Sequence, residues 1–195
     1  VMTLLLAGHE TTANALSWCL VQLAADHASR HRLEREVDEV TGGREVTPDH
    51  LGRMPFVEAV LKETMRLHPP AYLVGRYTLR DLEVEKAFLP AGTLVLVNIY
   101  GIHRSPKLFR EPERFLPDRF MPANDALIPK RAYMPFGTGP RTCIGNHFAM
   151  IEARLALAAM TRRARLERTT ADPIIADALL TLRPRGLMMR VERRV

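Results

Sequence analysis

Three observations predict an α+β fold that is mostly helical. Apolar residues recur at helical spacing over long segments, short β-rich runs are punctuated by proline and glycine, and a long irregular stretch precedes a closing helix. Met2 to about Ala25 reads as one apolar helix, interrupted at Gly8. A second, strongly charged helix runs from about Ser29 to Val40. Gly42-Gly43 closes it, because glycine readily takes the left-handed conformation that ends a helix. Thr47-Pro48 then reads as an N-cap followed by proline in a first turn. From Pro55 to Leu67, Val57, Val60, Leu61, Met65 and Leu67 alternate with charged residues at helical spacing, and His68-Pro69-Pro70 stops the helix sharply.

Strand-like runs follow at Tyr72 to Leu79, Leu82 to Glu85 and Thr93 to Asn98, with Pro90-Ala91-Gly92 turning the chain into the last. Residues 105–142 are rich in proline, glycine and charge. So long an irregular stretch within a compact domain is usually functional. A final helix is predicted from about Ile144 to Arg163. Leu179 to Leu182 and Gly186 to Val191 read as a terminal hairpin around Arg183-Pro184-Arg185.

The chain has 195 residues, 47% hydrophobic and 26% charged, which is enough for one sizeable core. No apolar run approaches the roughly eighteen residues that a membrane helix needs. The apolar opening Val1-Met2-Thr3-Leu4-Leu5-Leu6-Ala7 lacks a basic leader and runs on into Gly8-His9-Glu10, which argues against a signal peptide. A first residue already inside a helical pattern points to part of a longer protein. Net charge is +6, but the arginines are scattered and not interleaved with aromatics, unlike a nucleic-acid surface. A solvated basic face, or an acidic protein partner, fits better. Two cysteines are too few for a disulfide framework or a complete zinc site. Cys19, beside Trp18 in an apolar helix, reads as a buried thiol.

That leaves Cys143, in Phe136-Gly137-Thr138-Gly139-Pro140-Arg141-Thr142-Cys143-Ile144-Gly145. It sits where the closing helix begins, and there the helix dipole and free amides favour an anion, the form in which sulfur binds metals. Gly137, Gly139 and Gly145 leave room for a flat ligand against the backbone. Amides just after the cysteine can donate to its sulfur and tune a bound metal.

This loop resembles the cytochrome P-450 signature at every defined position: the phenylalanine, both glycines, the arginine and the cysteine. The resemblance implies that Cys143 is the axial thiolate of a haem b, that Arg141 meets a haem propionate, and that Phe136 packs beside the sulfur. Three further motifs follow the family's order. Glu63-Thr64-Met65-Arg66 resembles its glutamate-x-x-arginine helix; Glu63, Arg66 and the Arg114 of Pro112-Glu113-Arg114-Phe115 are expected to form a buried network. Ala7-Gly8-His9-Glu10-Thr11-Thr12 resembles the oxygen-activation motif, with Thr11 holding dioxygen and its water and Glu10 relaying protons. Arg76 matches a strand arginine that meets a propionate. His103, in Ile102-His103-Arg104-Ser105-Pro106, also matches a common family sequence, with no chemistry assigned. His147, one turn beyond Cys143, is read as a packing or polar-face residue and not as half of a nucleophile pair. Glu85-Lys86-Ala87-Phe88 departs from the family, which often has glycine before the Pro-Ala-Gly turn.

The resemblance spans essentially the whole chain and makes it the C-terminal, haem-binding half of one domain, 1–195, with the N-terminal half lying upstream. It implies a monooxygenase that takes electrons from a ferredoxin or flavin reductase and inserts one atom of O2 into an apolar substrate. Pocket walls are expected at Ala7, Gly8, Ala71, Val74 and Leu179, and Lys130, Arg131 and Arg141 are candidate docking cations for the electron donor. The alternatives are a peroxide-using or rearranging haem-thiolate relative, or a non-catalytic fragment. Alanine- and arginine-rich composition leans toward a bacterial cytoplasmic protein.

Overall fold

The computed structural model describes residues 2–194; Val1, Val195 and the side chains of Met2, Thr3, Leu4 and Leu6 lie outside the description. Two long helices come first, α1 (Met2–Ala25) and α2 (His27–Thr41). Between them Asp26 caps α2, its carboxylate accepting the Ser29 amide at 3.0 Å, a boundary two residues earlier than periodicity suggested. Gly42 closes α2 at φ 57, as expected for the left-handed stop. Thr47-Pro48 opens a 3-10 turn, Pro48–Arg53, before α3 (Pro55–Leu67).

Among the described residues the strands are short and pair only in twos. β1 (Leu73–Tyr77) runs antiparallel to β4 (Leu94–Asn98), and β2 (Leu82–Val84) pairs with β3 (Ala87–Leu89), a strand too short to show a period. Glu85 turns that hairpin at φ 52, so the missing glycine is replaced by a residue held in the left-handed region. After β4, the irregular stretch contains only brief helical turns, α4 (Ile99–His103), a 3-10 turn at Pro117–Phe120, α5 (Pro122–Asp125) and a second 3-10 turn at Gly139–Arg141. The closing helix α6 (Asn146–Arg163) starts two residues later than expected, which leaves Ile144 and Gly145 in the loop.

The tail differs from its predicted hairpin. β6 (Ile175–Ala178) pairs with β7 (Leu182–Arg185), while β8 (Met189–Arg193) runs back to β5 (Ala164–Arg168). Arg183-Pro184-Arg185 is therefore strand and not turn. Proline is tolerated there because each strand of a two-stranded sheet has an edge without a hydrogen-bond partner.

The core lies where the four long helices meet. Cys19 and Leu23 of α1, Leu33 and Val37 of α2, Phe56, Val57, Val60 and Leu61 of α3, and Ala153, Leu157 and Ala158 of α6 form one buried cluster. α3 is the centre of it, with ten of its thirteen residues buried, two of them charged. The Cys19 thiol is enclosed as expected, and burial pushes its pKa up to about 12. In α1 and α6 the burial is uneven: the later turns sit in the core while Leu5, Ala7 and Gly8, and Phe148 and Ile151, face outward. No described helix is long and apolar enough to cross a membrane.

Candidate functional site

Glu63 and Arg66 are three residues apart on α3, so their side chains meet on one face, and both are wholly buried. Arg66 clasps the carboxylate with two parallel bonds, Nε to Oε2 at 2.7 Å and Nη2 to Oε1 at 2.9 Å. Its remaining donors reach the carbonyls of His103 (2.8 Å), Pro112 (2.7 Å) and Arg114 (3.1 Å). All five guanidinium N–H groups are thereby used, one on the end of α4 and two on the irregular stretch.

Arg114 enters this network only through its main chain, which corrects the expectation from sequence. Its side chain is exposed and pairs with Glu111. The second guanidinium that meets Glu63 belongs to Arg119, 12% exposed, with Nε 3.3 Å from Oε1, and the same oxygen accepts the Leu116 amide at 2.8 Å. Pro-acid-Arg-Phe occurs twice, at 112–115 and 117–120. The second copy forms the 3-10 turn that points its arginine inward.

His103, which sequence reasoning left without a role, ties this network to the cysteine loop. Fully buried, it donates from Nδ1 to the Arg66 carbonyl at 3.2 Å and accepts the Met134 amide on Nε2 at 2.9 Å. Burial pushes its pKa down to about 4, and the Arg66 and Arg104 charges act in the same direction. The neutral ring stacks on Tyr133, three residues before Phe136.

The Phe136–Cys143 loop closes on itself through the Cys143 amide, which donates to the Phe136 carbonyl at 2.9 Å. Gly137 and Gly139 take φ of 73 and 74, so glycine is required at both. Phe136 is half-buried and Cys143 exposed. A Cβ placed on Gly145 would lie 3.9 Å from the cysteine sulfur. Among the described residues, the amides of Ile144 and Gly145 donate to no protein acceptor, which leaves two donors beside that sulfur. Ile144 and Phe148, one and five residues after the cysteine, are 91% and 73% exposed. Arg141 and Arg76 are exposed, and among the described residues neither meets a carboxylate; Arg76 reaches only the Gly75 carbonyl. His147 is exposed too; its amide donates to the Asn146 side chain, and among the described residues its ring makes no hydrogen bond.

A second cluster forms around α1. The helix runs through Gly8 without the predicted break, and the Thr11 hydroxyl donates to the Ala7 carbonyl at 2.7 Å. Glu10 accepts the Thr181 hydroxyl at 2.5 Å. The segments expected to wall a pocket are stitched together here. Tyr72 donates to the Leu179 carbonyl at 2.8 Å, the Leu182 amide to the Pro70 carbonyl at 3.0 Å, and the Trp18 indole to the Leu182 carbonyl at 3.0 Å. Trp18 also stacks flat on His68, whose Nε2 accepts Gln22 at 2.9 Å; burial first, then Arg104 and Arg66, pushes the His68 pKa down to about 3. Ala7, Gly8, Ala71 and Leu179 are exposed beside these bonds, and Val74 is half-buried.

An open cysteine at a glycine-shaped helix entrance, free amides beside its sulfur and a buried charge network behind it make the arrangement of a haem-thiolate protein. The chain belongs to the cytochrome P450 family, whose family model, Cytochrome P450, matches residues 1–191. Members of that family bind haem through a cysteine thiolate. Cyclooctatin synthase of Streptomyces melanosporofaciens is 44% identical over 85% of this chain and 36% of its own length. Cytochrome P450 4F1 of Rattus norvegicus and leukotriene-B4 omega-hydroxylase 3 of Mus musculus are each 38% identical over 97% of this chain and 37% of theirs. The chain thus spans little more than a third of the length of the curated relatives it matches.

Proposed function

We propose that this chain is the haem-binding, proton-delivering C-terminal part of a monooxygenase that inserts one atom of O2 into an apolar organic substrate. The observation that carries the proposal is the Cys143 loop, with an exposed thiol and, among the described residues, two unengaged amides beside its sulfur and cations left without carboxylates. Cys143 is the iron ligand in this reading, and the Ile144 and Gly145 amides donate to its sulfur. Arg141 and Arg76 meet the propionates, while Gly137 and Gly145 let the backbone approach the macrocycle beside Phe136. Haem held by a thiolate supplies dioxygen activation, in which two electrons and two protons leave one oxygen atom in the substrate and the other in water.

The chain's own residues supply protons and shape. Glu10 hands on protons from solvent, and the Thr11 hydroxyl, one residue along α1, orients their delivery. Ala7, Gly8, Ala71, Val74 and Leu179 face the substrate, and their apolar character sets its class. A relative whose name specifies omega-hydroxylation of leukotriene B4 supports a substrate with an aliphatic end. The electron donor is a ferredoxin or a flavin reductase docking through acidic residues on Lys130, Arg131 and Arg141, all exposed. A bacterial cytoplasmic setting belongs to the same reading and rests on composition. The protein containing this chain, expressed with haem, is expected to show a thiolate-type Soret band when reduced and bound to carbon monoxide. Cys143→Ala should abolish that band. Its persistence in the variant would refute the assignment.

A further inference from the structure

Glu10 is held by a residue outside every motif described above. Thr181 ends the turn between β6 and β7 and is 7% exposed. Its hydroxyl donates to Glu10 Oε1 at 2.5 Å and accepts Asn14 Nδ2 at 2.9 Å. Asn14 lies four residues after Glu10, so both present to the same side of α1. The direction of this chain of bonds is forced. An amide NH2 only donates, so the Thr181 oxygen accepts from Asn14 and its single hydroxyl proton is directed at Glu10. The turn does not depend on that hydroxyl for its place, because Leu182 is bonded to Pro70 and Trp18, and Leu179 to Tyr72.

We propose that Thr181 is a positioning residue for Glu10, holding from the turn between β6 and β7 the carboxylate that delivers protons. This rests on the reading of Glu10 as the proton-delivering acid. The test compares Thr181→Val, Thr181→Ser, Glu10→Gln and the double variant Glu10→Gln/Thr181→Val in the haem-loaded protein. Thr181→Val keeps the shape and removes the hydroxyl. It is expected to lower product formed per reductant consumed by about tenfold, the scale of one hydrogen bond to a charged group. Peroxide release and the solvent isotope effect should rise, with KM and the carbon monoxide spectrum unchanged. Thr181→Ser should restore coupling, and the double variant should be no worse than Glu10→Gln. A readout independent of turnover is the thermal melt: the two single substitutions should be non-additive in the double-mutant cycle. Additive melts, or a serine variant as uncoupled as the valine one, would overturn the role of Thr181 and leave that of Glu10 standing. Full coupling in Glu10→Gln would instead remove the reading beneath it, and this proposal with it.

Discussion

The buried network of α3 and the cysteine loop stand within one hydrogen-bonded chain of each other and follow opposite rules. All five N–H groups of Arg66 are used, and neither member of the central pair is exposed. Around Cys143 the thiol is open, two amides are free among the described residues, and large apolar side chains project outward. Buried polar groups normally find partners, so the first region behaves as framework. In the second, unmet donors and exposed apolar surface mark where something else binds. His103 joins the two, with one ring nitrogen on each.

The largest effect should separate them outright. Arg66→Ala strands a buried carboxylate and should cost roughly 3–5 kcal/mol of folding stability, with loss of soluble folded protein. Cys143→Ala should leave the haem-free melting transition unchanged while removing the thiolate spectrum. A comparable loss of stability in both variants would erase the distinction.

Acid comes next. His68 and His103 have pKa values pushed down to about 3 and about 4, against 6.5 for the free side chain. Because the unfolded chain binds these protons more readily, the stability they contribute is intact above pH 6.5. It is lost as pH falls from 6.5 through 4 and on toward 3. Urea midpoints measured across that window should fall by an amount worth a few kcal/mol, and should fall less in His103→Asn. A flat profile would mean that the rings are open to solvent.

Arg119 and Arg114 provide a finer contrast. Arg119→Ala should destabilise by about 1–3 kcal/mol, since it uncovers part of a buried carboxylate. Arg114→Ala should leave the melt unchanged, because its side chain pairs only at the surface. The reverse order would restore the first Pro-acid-Arg-Phe copy to the network. The smallest effect lies outside both regions. Glu85→Gly should stabilise by about 1 kcal/mol by relieving a left-handed side-chain residue, as read from the thermal midpoint.

Local chemistry by itself determined the long helices, the glycine stop at 42, the buried Cys19 and the loop around Cys143, because each depends on residues within a turn or two of one another. Helical spacing also placed Glu63 beside Arg66. Which of two identical-looking arginines completed that pair was decided only in three dimensions, by the turn at 117–120 that aims Arg119 inward. Tertiary structure likewise brought Thr181 to Glu10, 171 positions away, and His103 to Met134. It also paired the tail strands with partners that no turn signal named. Periodicity and turn propensity act over a few residues. A hydrogen bond across the fold depends on how separate elements pack, and that is set by the whole core at once.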